Sequence, residues 1–446
     1  MSPDEPVISV GILSERQVSF ELYGDFDVHG FKQKFSGRFS AELNGDHIIC
    51  KSAKDKIEIS NEIIFDPGDV SVDSFLIRDV PIGKQFHWQR KQTQRFSGSL
   101  RFLKDGDIIW VINIVSISQY LKSVISSEMS AKSSLQLLKA HAIVSRSWLL
   151  ARIDRLESEE KSKGSYFYKN DKEIIRWQGG GEHLLFDVCA DDHCQRYQGI
   201  SKVSTENTNK AVEQTKGIIL MFGGRICDAR YSKSCGGISE SFENVWEPVR
   251  YEYLSSIVDY KFDPESYNLD FSSEVNARKW ILSNPTAFCN STDERVLSQV
   301  LVEYDQETRD FYRWKVEYSQ KEIAELINKK SGIDFGDILD LVPEERGDSA
   351  RLIKLKIIGT KKEMSIGKEL EIRRILSPTH LYSSAFIVNK EGEKNGVPRK
   401  FIIEGAGWGH GVGLCQIGAA VMASGGYKFD EILLHYFKGA NLKKIY

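Results

Sequence analysis

The sequence predicts an α+β fold, rich in strand, with a few helices. Three observations carry this. Thirty-five glycines stand against ten prolines, scattered among short runs of Val, Ile, Phe and Tyr, which favours strands joined by tight turns. Residues 7–104 alternate apolar and polar with turn signals between the runs. A single stretch, Ile117 to Arg152, instead repeats its apolar residues at helical spacing.

The chain has 446 residues, enough for one large or two to three ordinary domains. Apolar residues make up 41% and charged ones 28%, which excludes a disordered chain. The formal charge is −3 with acids and bases intermixed, so no basic stripe marks a nucleic-acid binder. No run of about 18 apolar residues is present, so no transmembrane segment is expected. The opening MSPDEPVISVGIL has neither a basic start nor a long apolar stretch, so no signal peptide is visible. Seven cysteines cannot all pair within one chain, and cysteine usage alone does not settle the compartment.

Taken in order, VISVGIL, QVSFELYG, IIFDPG, SFLIRDV and RFSGSLRFLKDGDIIWVIN read as strands pairing into hairpins, a structural β layer without chemistry of its own. Two helices follow, and Glu128 stands at the break between them. Ser133 with Gln136 reads as the capping box that starts the second. A carboxyl group in such a connection is ordinarily a cap or a surface charge. Partly dehydrated, it is suited to general acid work. Arg146 lies inside the second helix and reads equally as a substrate contact, a partner for Glu128 or a structural ion-pair partner.

His183, Cys189, His193 and Cys194 fall within twelve residues, spaced H-x5-C-x3-H-C. Two thiolates and two imidazoles are the donor set of a closed tetrahedral zinc site. The spacing is not that of paired C-x2-C knuckles, and a buried thiol pair or a disulfide remains an equal reading. Asp191 and Asp192 are poorer ligands beside thiolates.

Ala211 to Thr215 reads as a short helix, and GIILMFGGRICDARYS as a hairpin turning at Gly223-Gly224. Ser234 and Ser239 flank a glycine pair where the backbone can approach a ligand closely. Cys235 is a poor nucleophile candidate, since no histidine is near it in sequence. RWKVEYSQKEIAELINKKSGI reads as a strand and then a helix capped by Ser319 with Glu322, stopping near Gly332. GDSARLIKLKIIGT and KELEIRRIL read as further strands, and Trp280 and Trp314 as core. Six glycines between Gly405 and Gly418 surround Trp408, His410 and Gln416, which suggests a backbone bent around a ligand. No strand–helix–strand context supports a dinucleotide loop there. Ala419 to Ser424 and Tyr427 to Phe437 read as two closing helices.

Three of these blocks carry a resemblance. YLKSVISSEM with LKAHAIVSRSWLLAR, SCGGISE, and GWGHGVGLCQIGA resemble, in order, the motifs of the stage II sporulation protein D and amidase-enhancer family. This sequence departs from the family's wording at Ser130 for a proline, His141 for a glutamine, Ser145-Arg146-Ser147 for "ART", and Leu414-Cys415 for Met-Ser. The resemblance implies a fold of that family built around a central substrate cleft. The implied organisation is a β-rich region 1–104, a core 105–260, an inserted α+β subdomain 261–385 and a glycine-rich segment 386–446 that completes the core.

It also implies a function: cleavage of the β-1,4 bond between N-acetylmuramic acid and N-acetylglucosamine in peptidoglycan, by lytic transglycosylation. Glu128 falls on the catalytic glutamate of the family's enzymatic branch. Arg146, Tyr231, Ser234, His410 and Gln416 are the implied glycan contacts. His183, Cys189, His193 and Cys194 are the implied ligands of one structural zinc. Peptidoglycan strands and a cell-wall amidase are the implied partners, in the cell envelope, periplasm or another extracytoplasmic place. The alternatives within the resemblance are a non-catalytic amidase enhancer and a structural peptidoglycan-binding module. Retention of Glu128 favours the enzyme.

Overall fold

A computed structural model describes residues 4–83, 90–130, 133–157, 167–177, 183–191, 193–201, 205–301 and 310–446. The alternation of the N-terminal residues becomes a sheet with one covered face. Along Gln17–Val28 the side chains of Val18, Phe20, Leu22, Phe26 and Val28 are buried while their neighbours face outward. Phe20 packs against Phe39, Phe65 and Phe102, with centroids 4.9–5.4 Å apart. The sheet has eleven strands. The path across it runs Val188–Cys189, Val7–Glu15, Ile108–Ser116, Ser99–Asp105, Glu62–Pro67, Gln17–Val28, Phe35–Asn44, His47–Lys51 and Lys56–Ser60. Ser74–Ile82 and Arg90–Ser97 pair off this path. At one edge Gly11 pairs in parallel with Cys189, which brings the thiol–imidazole segment onto the sheet.

The helix pair forms as α1 (Ile117–Glu128) and α2 (Leu135–Glu157). Ser116 caps α1, its side chain accepting from the Gln119 amide. The cap of α2 differs from the expected Ser133–Gln136 box. Ser134 takes the role, its carbonyl bonded by the Leu138 amide and its hydroxyl by the Leu137 amide. Ser133 is drawn away because its hydroxyl donates to the Ser130 and Gln299 carbonyls. Gln136 accepts from the Phe429 amide instead. Every residue from His141 to Leu150 is buried, so α2 is a central helix enclosed on all sides.

Among the described residues the remaining α-helices are α3 (Glu206–Gln214), α4 (Glu274–Leu282), α5 (Glu294–Val300), α6 (Gln320–Ser331), α7 (Glu369–Ile375), α8 (Gln416–Ser424) and α9 (Phe429–Tyr436). The Gly223-Gly224 hairpin forms, with Phe222 opposite Arg225. The Ser319–Glu322 capping box forms on α6, and Gly332 ends it in the left-handed region at φ 71°.

KELEIRRIL is a correction, since it is helical as α7. Ile372, Ile375 and Leu376 are buried at helical spacing, and Arg373–Glu369 and Arg374–Glu371 pair at i,i+4 and i,i+3. α6 and α7 pack with Arg313–Ser319, Ile338–Arg346 and Leu352–Gly359 around a second core. That core also takes in Ile174, Phe386, Phe401 and Ile403. Trp280 and Trp314 are both buried. Among the described residues no helix is long and apolar enough to cross a membrane.

Candidate functional site

A pocket of about 680 Å³ opens where the end of α1, the thiol–imidazole segment, the strand Tyr231–Ser232 and the glycine-rich turn meet. Glu128, Tyr231, His410 and Gln416 line it, as do His183, Cys189, His193 and Cys194. Trp110, Trp148, Phe186 and Trp246 supply aromatic surface, and Arg230, Lys233 and Arg373 supply cations.

Glu128 is the last residue of α1 and is partly buried. Its Oε1 accepts from the Arg196 amide at 3.3 Å. The segment around Arg196 is itself laid along α1. The Gln198 amide donates to Ser123 Oγ at 3.0 Å, and the Tyr197 ring stacks on Tyr120 at 5.2 Å. The Tyr197 hydroxyl donates to Asn113 Oδ1. Arg196 lies two residues beyond Cys194, so whatever holds Cys194 also holds a donor to the Glu128 carboxylate.

The thiol–imidazole donors converge. Cys194 Sγ is 3.5 Å from His183 Nε2 and 3.6 Å from His193 Nδ1, and Cys189 Sγ is 4.0 Å from His193 Nδ1. All four donor atoms lie within 4.8 Å of one another. Zinc bonds of about 2.3 Å to sulfur and about 2.0 Å to nitrogen put tetrahedral edges near these lengths, so the four residues fit a zinc ion. The Cys189 amide points at Cys194 Sγ at 3.4 Å, the kind of outer contact that steadies a thiolate. Each of the seven cysteines is free, so no disulfide joins Cys189 and Cys194.

Gln416 reaches the pocket from the start of α8, and its Nε2 lies 3.3 Å from His141 Nε2. His141 Nδ1 lies 3.3 Å from Ser145 Oγ, and its ring meets the Tyr231 ring edge-on at 4.6 Å. Burial first, and then Lys233, lowers the His141 imidazole to about 3. The ring is therefore neutral, able to accept from Gln416 while donating to Ser145. His410 packs edge-on against Trp246 at 5.1 Å, and its Nδ1 accepts from the Val412 amide. Burial, then Arg230, Arg373 and Arg351, keeps its imidazole well below the ordinary histidine value.

Two of the expected glycan contacts stand elsewhere. Arg146 is buried inside α2, donates to the Ile218 carbonyl at 3.0 Å, and has Tyr446 and Glu5 as its nearby charge partners. It lies outside the pocket lining. Ser234 is buried and pairs through its backbone with Trp408. The glycine-rich turn also departs from expectation. Gly407, Gly409, Gly411 and Gly413 all have positive φ, and the space a Cβ would need at Gly411 holds the Arg351 guanidinium. The turn is bent closely around the chain's own Arg351, which donates to the Gly409 and Cys235 carbonyls.

Several groups at the pocket and behind its wall are not singled out by the sequence. Arg230 bonds Asp228 at 2.7 Å and lies 4.1 Å over the Trp246 ring, while Arg155 holds the same carboxylate. Burial alone would raise Asp228, but the two guanidinium groups outweigh it and lower the carboxyl. Asp228 and Arg230 stand two residues apart, but Arg155 joins them from 73 residues away, which no motif spacing reveals. Glu240 is buried and accepts from Ser349 Oγ at 2.6 Å and Asn244 Nδ2 at 2.7 Å, clamping the turn that precedes Arg351. It is the last residue of the SCGGISE block, which was the available signal.

Fold and pocket together define a β-rich α+β protein that presents a helix-end carboxyl group beside a thiol–imidazole cluster. Residues 105–222 match the model of the stage II sporulation protein family. Residues 240–413 match a domain of unknown function (DUF8618). Among relatives, the chain is 27% identical over 334 residues to the amidase enhancer of Bacillus subtilis (strain 168), covering 72% of this chain and 40% of that protein. It is 25% identical over 348 residues to an uncharacterised protein of Brachyspira hyodysenteriae, covering 78% and 72%. To stage II sporulation protein D of Bacillus amyloliquefaciens it is 22% identical over 330 residues, covering 74% and 75%. The chain thus spans two fifths of the amidase enhancer's length and about three quarters of the other two.

Proposed function

We propose that this protein is a peptidoglycan lytic transglycosylase acting outside the cytoplasm. The observation that carries the reading is Glu128: the residue on the catalytic glutamate of the family's enzymatic branch lies at a pocket with aromatic and cationic walls. Protonated, its carboxyl donates to the glycosidic oxygen that leaves as the C1–O bond breaks. As carboxylate, it then takes the proton of the muramic C6 hydroxyl while that oxygen bonds to C1. The product is a 1,6-anhydromuramic end, and no water is consumed. One carboxyl group serves both steps because the substrate supplies its own nucleophile, whereas a hydrolytic glycosidase needs two. The Arg196 amide orients the carboxylate. Tyr231, His410 and Gln416 face the same pocket and serve as glycan contacts. A zinc ion held by His183, Cys189, His193 and Cys194 is structural, since the four donors leave no open position.

The 27% relative named an amidase enhancer favours a second reading, in which the protein binds a cell-wall amidase and stimulates it without cutting glycan. Asp191, a second carboxylate lining the pocket among the described residues, defines a third outcome, a two-carboxylate hydrolase. Mass spectrometry of muropeptides after incubation of glycan with the purified protein separates all three. Anhydro ends support the transglycosylase. New reducing ends identify the hydrolase, and unchanged glycan leaves the enhancer.

A further inference from the structure

Behind the pocket, four donors from distant parts of the chain meet in a fully enclosed place. Cys235 follows Ser234, Asp259 lies beyond the Ile238–Val258 bridge, Cys289 follows α4, and Cys415 immediately precedes α8. All four are buried, none more than 2% exposed. Cys235 Sγ is 3.5 Å from Cys289 Sγ and 3.3 Å from Asp259 Oδ2. The four donor atoms lie within 4.8 Å of one another. A tetrahedral ion with bonds of about 2.3 Å to sulfur spaces its thiolates about 3.8 Å apart, which these positions nearly meet.

The surroundings are those of an outer ligand shell. The Cys235 amide points at Cys415 Sγ at 3.3 Å, and the Cys289 amide donates to Asp259 Oδ2 at 3.0 Å. The Tyr436 hydroxyl donates to Asp259 Oδ1 at 2.6 Å, which leaves Oδ2 turned toward the sulfurs. Arg313 donates to the Gly236 carbonyl and Arg351 to the Cys235 carbonyl. These two guanidinium groups flank the cluster and offset the negative charge of three thiolates and a carboxylate on a divalent ion. A buried carboxyl packed against three thiols is costly unless its charge is matched. A cation among the four donors supplies the match, and soft donors select zinc over magnesium or calcium.

We propose that Cys235, Asp259, Cys289 and Cys415 form a second, structural metal site that binds zinc. The site has four protein donors, all of them buried, so it holds no activated water. Its role is to tie the SCGGISE block, the segment after α4 and the start of α8 together. It thereby fixes Gln416, the residue after Cys415, at the pocket wall. The departure from the family's wording at Cys415 supplies one of the ligands.

Zinc per chain, counted by native mass spectrometry, tests this. The double variant Cys189→Ser/Cys194→Ser disables the first cluster only, and it should still carry one zinc. Adding Cys289→Ser should remove that ion. If the triple variant does not fold, a thiol reagent titrated into the folded double variant should free one ion as its thiols are modified, of which Cys50 and Cys227 lie outside the cluster. A zinc-free, folded double variant overturns the proposal. So does a Cys235–Cys289 disulfide, found by peptide mapping of the unreduced double variant. The transglycosylase reading is untouched by either result, since it is judged on glycan products.

Discussion

His141→Gln exchanges a buried imidazole for the residue the family usually carries, and its effect follows from proton linkage. In the folded protein, burial and then Lys233 hold the imidazole at about 3, with the Tyr231 ring against it and Gln416 and Ser145 at its two nitrogens. In the unfolded chain it titrates near the ordinary value of about 6.5. The folded value is depressed, so the unfolded state binds the extra proton first. Stability is full above about 6.5 and is lost as pH falls toward the folded value, at about 1.4 kcal/mol per pH unit. Between pH 7 and pH 5 the loss from this residue is about 2 kcal/mol. Glutamine does not titrate and can still bond Gln416. Urea denaturation of both proteins at pH 7 and pH 5 gives a difference of differences in which metal loss and the other histidines cancel. The variant should lose about 2 kcal/mol less than the wild type over that interval. Equal losses in the two proteins would refute the reasoning.

Cys189→Ser should release the zinc of the first cluster and lower the melting temperature, because an ion bound only by the folded chain stabilises it. Turnover should fall with it, since Cys194 and Arg196 loosen over Glu128; unchanged metal content and melting would contradict the structural role. Ser319→Ala removes the α6 capping box and should cost about 1 kcal/mol in equilibrium denaturation, with glycan turnover unchanged. His410→Ala should slow turnover or weaken glycan binding while zinc content stays the same. A variant that fails to fold would instead assign His410 to the packing against Trp246.

Local signals were legible in the sequence. The α1–α2 break, the Gly223-Gly224 hairpin and the Ser319–Gly332 helix each depend on residues within a few positions of one another. The α7 segment reads as a strand because Glu369-Leu370-Glu371-Ile372 alternates apolar and polar residues. Only Ile375 and Leu376 reveal the helical period, and the ion pairs that support it are visible only once the helix is built. Arg146 was ambiguous for a physical reason: α2 is buried on every side, so periodicity could not say which face meets the pocket. The glycines around His410 signalled a close approach, but what they approach is Arg351, from another segment altogether. Non-local chemistry left no trace. Cys235 and Cys415 are 180 residues apart, and no spacing rule joins them to Asp259 and Cys289.

The most direct test of the account compares wild type with Glu128→Gln on the formation of 1,6-anhydromuramic ends, read by mass spectrometry of the released glycan. Glutamine keeps an oxygen to accept from the Arg196 amide, so melting temperature and zinc content should be unchanged. Without the titrating proton, anhydro product should form slower by about 10² or more, the usual scale of general acid–base catalysis. Anhydro ends produced by Glu128→Gln at the wild-type rate would contradict it.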